Sequence, residues 1–194
     1  MIMKKTIVVA SNNAHKLREI AQIFPEYEIV SQREAGFNAE VEETGLTFEE
    51  NALIKARAAC NALGLPVLAD DSGICVEALD GAPGVYSARY CGWHADDKSN
   101  RTLLLKNMEG KDNRTAYFCS SIALVFPDGT ELTAEGRTYG KLLTAECGDG
   151  GFGYDPIFFS DDLQKSFGVA TAEEKNSVSH RYRALCALRE KAGL

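Results

Sequence analysis

Apolar residues follow two different patterns along the first part of the chain, short runs and recurrence at helical spacing. Residues 6–10 are a short apolar run rich in β-branched residues, and residues 27–30 are apolar apart from Glu28, which is typical of strands. Between them, apolar residues recur at helical spacing from Leu17 to Phe24 and stop before Pro25, so a helix is expected there. The pattern predicts strand, helix and strand in succession, packed around one core.

The same signals predict the remaining elements. Thr47 and Glu50 form a capping box at the start of an alanine-rich helix, which Gly64 ends. Further along, the predicted elements are a strand at 74–78, a Gly/Pro-rich loop with aromatic residues at 81–90, a helix at 96–108, a hairpin with strands 115–126 and 130–139 around the turn 127–129, and a final helix capped by Ser179.

One stretch joins a predicted strand to candidate chemistry. Pro66 excludes a helix interior, so residues 67–69 are predicted to form a short buried strand, with Asp70 and Asp71 at its carboxyl end. Ligands of α/β sheets bind at such ends, and adjacent carboxylates are suitable oxygen ligands for Mg2+. The alternative is an ordinary turn, because Asp, Ser and Gly all favour turns.

Composition limits the possible functions. The 194 residues suffice for one domain, and the net charge of -7 argues against a generic nucleic-acid-binding surface. The apolar run that follows Lys5 is too short for a signal peptide, and no run approaches a membrane span. Six scattered cysteines without a C-x-x-C pair indicate reduced thiols and no zinc site. His15 and His94 are interpreted as surface or loop residues.

Three further segments carry possible ligand chemistry. The polar turn at 11–16 precedes a helix, whose amino end can bind phosphate, although Ser11 or Asn13 capping the helix explains it equally well. The segment 148–158 alternates glycine with aromatic residues, which allows close approach of a ligand and stacking on a base. His180 and Arg181 would lie in the first turn of the last helix, where the dipole disfavours cations, so a ligand is indicated.

In order along nearly the whole chain, these motifs resemble the inosine triphosphate pyrophosphatases, a family that hydrolyses non-canonical purine nucleoside triphosphates. The resemblance rests on S-x-N-x-x-K at 11–16, E-E-T-G at 42–45, the helix at 51–57, A-D-D-S-G at 69–73, G-A-P-G and Y-S-A-R-Y at 81–90, G-F-G-Y-D-P at 151–156 and S-H-R at 179–181. It implies one domain over residues 1–194: an elongated, two-lobed α/β fold around a long curved mixed sheet with flanking helices and an active-site cleft between the lobes.

The resemblance also implies the chemistry. The expected reaction is Mg2+-dependent cleavage of dITP, ITP or XTP between the α and β phosphates, with Asp71 as base and Glu43 and Asp71 as metal ligands, in a homodimer. From composition, the expected protein is cytoplasmic and binds neither nucleic acid nor membrane. The implied substrate-binding residues are Ser11, Asn12, Asn13, Ala14, His15 and Lys16 for the triphosphate, Lys55 and Ser72 for phosphate, Phe152, Gly153, Tyr154, Asp155 and Lys175 for the nucleoside pocket, and His180 and Arg181 for the purine base. The alternative is a purine-nucleotide sensor that has lost turnover.

Overall fold

The computed structural model describes residues 5–92 and 96–193. The predictions for residues 1–4 and for His94 lie outside this part of the chain. The described helices and strands are, in chain order, β1 Lys5–Val9, α1 Ala14–Ile23, β2 Tyr27–Ser31, α2 Phe48–Leu63, β3 Val67–Val76, α3 Asp97–Asn107, β4 Thr115–Val125, β5 Glu131–Leu142, β6 Phe158–Ser160, β7 Lys165–Ser166, α4 Ala172–Val178 and α5 His180–Ala192.

The strands form a seven-stranded mixed sheet in the order β2-β1-β3-β4-β5-β6-β7. β1 pairs in parallel with both β2 and β3, whereas β6 pairs antiparallel with β5 and β7. The parallel pairs need crossover connections, which α1 and the segment containing α2 supply. The predicted α/β class with a mixed sheet and flanking helices is therefore confirmed.

The chain divides into two compact units, of which the first comprises the residues up to Asp71, Ser120–Gly136 and the residues from Arg181 onward. Its core has two apolar clusters. In one, Ile20 of α1 and Phe24, which follows α1, pack with Leu185 of α5. In the other, the alanine face of α2 packs against β1 and β3, because small side chains let the helix approach the sheet closely.

The second unit comprises Ser72–Cys119 and Arg137–His180. Its core is one cluster in which Leu104 and Met108 at the end of α3 pack with three aromatic residues, Phe118, Phe158 and Phe167. The Phe118 and Phe158 rings meet edge to face with centroids 4.8 Å apart, a favourable aromatic arrangement. α3 is therefore fixed in the core of this unit.

Most predicted elements are confirmed, but the interpretation of residues 67–78 is wrong. β3 is one strand of ten residues that runs through Asp70 and Asp71, not two short strands separated by a turn. Side-chain partners of both carboxylates override the local turn preference of Asp, Ser and Gly. Two short 3-10 helices, Glu77–Leu79 and Gly84–Arg89, form much of the following segment, and α4 was not predicted.

Two expectations from composition can be compared with the described residues. No helix in this part of the chain is sufficiently long and apolar to cross a membrane. All six cysteines lie in the described ranges without a disulfide between them, and Cys91 and Cys147 are exposed.

Candidate active site

A lysine and two carboxylates meet in the first unit. Lys55, on α2, donates from Nζ to Glu43 Oε1 at 2.6 Å and to Asp71 Oδ1 at 3.0 Å. Both carboxylates therefore converge on one nitrogen atom. The Glu43 and Asp71 side chains remain 25% and 11% exposed, so solvent can reach this pair.

The pKa values of these groups suit acid–base chemistry. Burial raises the pKa of Asp71, and the Glu43 carboxylate adds to this effect while Lys55 opposes it. Burial alone would lower the pKa of Lys55, but the carboxylates of Asp71 and Glu43 outweigh it and raise that pKa. Lys55 is therefore an ammonium at neutral pH, and Asp71 is more basic than an ordinary surface aspartate.

Asn51 connects Asp71 to the loop after Glu43. Its Nδ2 donates to Asp71 Oδ2 at 3.3 Å, and its Oδ1 accepts from the Gly45 backbone N–H at 2.8 Å. A Cβ on Gly45 would lie 2.7 Å from Asn51 Oδ1, so the approach requires glycine. Asn51 was not among the site residues predicted from the sequence, although its spacing of four from Lys55 places both on one helix face.

Asp70 is engaged by other partners. Its Oδ2 accepts from Lys16 Nζ at 2.5 Å and from Arg181 Nε and Nη2 at 3.2 Å, and its Oδ1 accepts from the Ser120 hydroxyl at 2.5 Å. Burial opposes its ionisation, but Arg181 and Lys16 outweigh burial and hold the pKa of Asp70 well below its usual range. Of the two adjacent carboxylates, Asp71 is thus the one available to a ligand.

Arg181 is buried at the start of α5, with 1% of its surface exposed. Its guanidinium pairs with Asp70 and with Glu19 on α1. A cation at this helix position was predicted from the sequence to indicate a ligand, whereas the structure supplies two protein carboxylates, Asp70 and Glu19, that pair with it. Its proposed contact with a purine base stays a prediction.

The capping alternative for residues 11–16 is confirmed. Asn13 precedes α1, and its Oδ1 accepts from the backbone N–H groups of His15 at 2.9 Å and Lys16 at 3.3 Å. Ser11 Oγ accepts from the Asn13 N–H at 3.1 Å. Asn12, Ala14 and His15 are exposed, and triphosphate binding by this turn stays a prediction.

In the second unit, Phe152, Asp155 and Lys175 are in mutual contact. Lys175 Nζ lies 2.6 Å from Asp155 Oδ2 and 4.1 Å from the centroid of the Phe152 ring. The same Oδ2 accepts from the Phe152 N–H at 2.8 Å. Tyr154 donates its hydroxyl hydrogen to the Ser87 carbonyl at 2.7 Å, and burial raises its pKa. The structure thus brings together most of the residues predicted to line a nucleoside pocket.

The last two predicted residues of this unit occupy different environments. His180 is buried and stacks on Phe118, with ring centroids 4.9 Å apart and an interplanar angle of 14°. Ser72 lies within β3 and is partly exposed. Their roles toward a substrate stay predictions.

The donor set fits a magnesium ion. Within residues 5–92 and 96–193, no group of three or more His, Cys, Asp or Glu side chains could hold a metal by itself. Mg2+ differs from zinc in that it commonly takes one or two carboxylates and completes its octahedron with water and substrate phosphate. Glu43 and Asp71 supply such a pair of hard oxygen donors, both within 3.0 Å of Lys55 Nζ.

An α/β sheet that carries a lysine-bridged carboxylate pair, in which Asp71 is basic and Glu43 is partly exposed, defines a hydrolase-like site for an anionic substrate. The model of the Ham1 family matches residues 7–191. A dITP/XTP pyrophosphatase of Geobacter sulfurreducens is 48% identical over 191 residues, with 96% of each chain covered, and one of Bacillus subtilis is 43% identical over 95% of this chain and 96% of its own. The chain belongs to the Ham1 family.

Solved structures are similar over the same length. The Ham1 protein of Staphylococcus aureus matches with a TM-score of 0.90 and 41% identity, covering 97% of this chain and 98% of its own. The dITP/XTP pyrophosphatase of Mycobacterium abscessus matches with a TM-score of 0.79 and 46% identity, covering 94% and 98%. The resemblance found in the sequence motifs is thus confirmed.

Proposed function

We propose that this chain hydrolyses non-canonical purine nucleoside triphosphates (dITP, XTP and ITP) to nucleoside monophosphate and pyrophosphate. The observation that carries the proposal is the convergence of Glu43 and Asp71 on Lys55 Nζ at 2.6 and 3.0 Å. The relatives named dITP/XTP pyrophosphatase, with nearly full coverage, support the substrate class.

Asp71 is the proposed general base. Its raised pKa favours removal of a proton from a water molecule as the water oxygen attacks the α phosphorus. The bond between the α phosphorus and the oxygen bridging to the β phosphorus breaks, and pyrophosphate leaves with that oxygen. One water is consumed for each triphosphate, and no orthophosphate is formed.

Lys55 and Lys16 are the proposed phosphate contacts. Lys55 is held at the carboxylate pair, and Lys16 is oriented by Asp70 at 2.5 Å. Positive groups fixed before the substrate arrives can stabilise developing negative charge without reorganisation. Fixed cations of this kind are expected to orient the phosphate chain and to favour departure of pyrophosphate.

We also propose Mg2+ as the cofactor, with Glu43 and Asp71 as its protein ligands. When bound, the ion would supply charge neutralisation on the phosphates. The cytoplasm is the proposed compartment, because six reduced cysteines are compatible with a reducing environment. The homodimer, which rests on the family resemblance, is tested by light scattering coupled to size-exclusion chromatography.

A second proposal concerns base selection. Hypoxanthine and xanthine carry a 6-oxo acceptor where adenine carries an amino donor, and Arg181 has donors alone. The resemblance implies that Phe152 stacks on the base and that His180 and Arg181 read its edge, and we propose these roles on that ground. Sites that require a particular hydrogen bond can discriminate by up to roughly 10^4, so ATP and dATP are expected to be poor substrates.

The direct test is a product assay with dITP, XTP and dATP in the presence of Mg2+. Equimolar pyrophosphate and monophosphate from dITP and XTP, with little turnover of dATP, is the expected result. Stoichiometric orthophosphate would place the attack at the terminal phosphate. Binding of dITP without any turnover would favour the sensor alternative, against which the basic Asp71 beside Lys55 argues.

A further inference from the structure

Helix α3 holds the backbone of the loop that carries Phe152, through two residues to which the sequence analysis gave no role. Asp97 Oδ2 accepts from the Gly153 N–H at 2.8 Å, and Arg101 Nη1 donates to the Gly153 carbonyl at 2.7 Å. Both polar groups of one residue are therefore bound by side chains from one helix. Asp97 and Arg101 are four positions apart and thus lie on the same helix face.

We propose that Asp97 and Arg101 are positioning residues that fix Gly153 and thereby set the place of the Phe152 ring for the purine. This inference rests on the proposed function, because it assumes that Phe152 and its neighbours contact the nucleoside. The two residues act on the substrate through the loop backbone and do not touch the reacting atoms.

The geometry of Gly153 shows why the loop needs external support. Its φ of +58° lies in the left-handed region, which glycine adopts easily and which gives the loop conformational freedom. On one side of Gly153, the Phe152 N–H is bound by Asp155. Without α3, the peptide groups of Gly153 itself would have neither of these two partners, and the position of Phe152 would depend on Asp155 and Lys175.

The helix is itself firmly anchored, so it can transmit a fixed position. Leu104 is fully buried in the core cluster of this unit. Asn100 accepts from the Cys91 N–H at 2.8 Å and donates to the Ala88 carbonyl at 3.2 Å. Arg101 also donates from Nε to Glu146 Oε1 at 2.8 Å, through a different nitrogen from the one that bonds Gly153. A functional group on a packed helix is held more precisely than one on a loop.

The experiment compares Arg101→Ala and Asp97→Asn with the parent protein by steady-state kinetics on dITP. The expected result for Arg101→Ala is a KM increased about tenfold, the size of one lost hydrogen bond to a charged group, with kcat within about twofold. A KM effect of this kind indicates lost binding and not lost chemistry. Arg101→Lys, which keeps a donor, should recover part of the affinity.

Two control variants distinguish loss of the contacts with Gly153 from general effects of substitution on α3 or its neighbours. Glu146→Ala removes the other partner of Arg101 but leaves Gly153 bonded, and Lys106→Ala changes an exposed residue of the same helix. Both should retain a KM within about twofold of the parent. An equal increase of KM in Lys106→Ala would overturn the inference, because it would show a nonspecific response of the helix.

Amide hydrogen exchange provides a readout that is independent of activity. In the substrate-free protein, Arg101→Ala should accelerate exchange in the peptide covering residues 148–154 and leave the α2 peptides unchanged. Unchanged exchange in residues 148–154 would show that Asp97 and Arg101 do not hold the Gly153 backbone. Faster exchange with a parental KM would show that holding this backbone does not affect substrate binding. A parent protein that does not hydrolyse dITP would instead refute the proposed function. The exchange result would still decide whether Asp97 and Arg101 hold the backbone of Gly153.

Discussion

At the scale of single residues, two adjacent carboxylates have different surroundings because they lie in a strand. Successive side chains of a strand point to opposite faces, so in β3 Asp70 meets Lys16, Arg181 and Ser120, whereas Asp71 meets Lys55 and Asn51. A turn, the alternative considered from the sequence, would not separate them in this way. The alternation assigns Asp70 to an internal ion-pair network and leaves Asp71 for chemistry.

Replacing Asp71 tests its role as base. Asp71→Asn should lower the rate of pyrophosphate release from dITP by about 10^2- to 10^4-fold, because it removes the proton acceptor and one proposed metal ligand. Asp161→Asn, which changes an exposed aspartate, should keep the parental rate. Hydrolysis by the Asp71→Asn variant at a near-parental rate would contradict the assignment, provided that thermal unfolding shows both variants to be folded.

The buried pairs of Arg181 predict a large effect on stability. Arg181→Ala should reduce the free energy of unfolding by about 3–5 kcal/mol, because Asp70 and Glu19 would lose a buried partner. The matched control is Arg57→Ala, which removes a half-exposed guanidinium paired with Glu131 and should cost at most about 1 kcal/mol. Denaturant titration measures both values, and equal losses would show that the Arg181 pairs are no more important than a surface pair.

The predicted loss of stability in Arg181→Ala also affects how a role of Arg181 in base recognition is tested. Assaying dITP and dATP side by side with Arg181→Ala detects a role in reading the base, but the buried pairs mean that the variant must first be shown to be folded.

At the scale of secondary-structure elements, the sequence predicted the helices and strands whose ends carry local signals. The capping box of Thr47 and Glu50 and the left-handed cap at Gly64 both occur in the structure, so the bounds of α2 were predictable. The hairpin turn at 127–129 was predictable for the same reason. β3 was not, because its continuity depends on side-chain partners from α1, α2 and α5 that are distant in sequence.

The candidate site was predictable to a similar extent. The motifs identified the charged residues that the structure brings together, such as Glu43, Lys55 and Asp71. They did not identify Asn51 on α2, which bonds Asp71, or Asp97 and Arg101 on α3, which bond the backbone of Gly153. Their function lies in contacts with the backbone or with other side chains of distant segments, and such contacts leave no local pattern.

The packing of the loop against α2 predicts a cost for enlarging Gly45. In Gly45→Ala the new Cβ would lie 2.7 Å from both Asn51 Oδ1 and Glu50 Cβ, closer than atoms can pack. The loop must move away, and the Gly45 bond to Asn51 should weaken. We expect a loss of stability of about 1–3 kcal/mol and a kcat/KM for dITP lowered about tenfold or more, because Asn51 also orients Asp71.

The neighbouring Leu46, which is 82% exposed, provides the control for this prediction. Leu46→Ala should leave kcat/KM for dITP and the free energy of unfolding close to the parental values. Parental kinetics in Gly45→Ala would show that the contact between Gly45 and Asn51 is not needed to orient Asp71.

At the scale of the whole molecule, charge balance is the main constraint on binding a triphosphate. The chain carries a net charge of -7. In the ion-pair network of the first unit, the three cations Lys16, Lys55 and Arg181 face the four carboxylates of Glu19, Glu43, Asp70 and Asp71. This network has no excess of positive charge, so it cannot by itself compensate a multiply charged anion. A divalent cation at Glu43 and Asp71 would reverse the local balance.

This charge balance predicts that activity strictly requires a divalent metal ion and that Glu43 contributes to binding the ion. Excess EDTA should abolish pyrophosphate release from dITP, and Mg2+ should restore it. In Glu43→Gln, which removes one charged ligand, half-maximal activity should require at least about tenfold more Mg2+, whereas Glu42→Gln, a change at an exposed neighbour, should need the parental concentration. Calcium should support little turnover, because its longer bonds and looser geometry position water poorly. Full activity in EDTA, or the same Mg2+ dependence in both variants, would show that the charge of the substrate is compensated elsewhere.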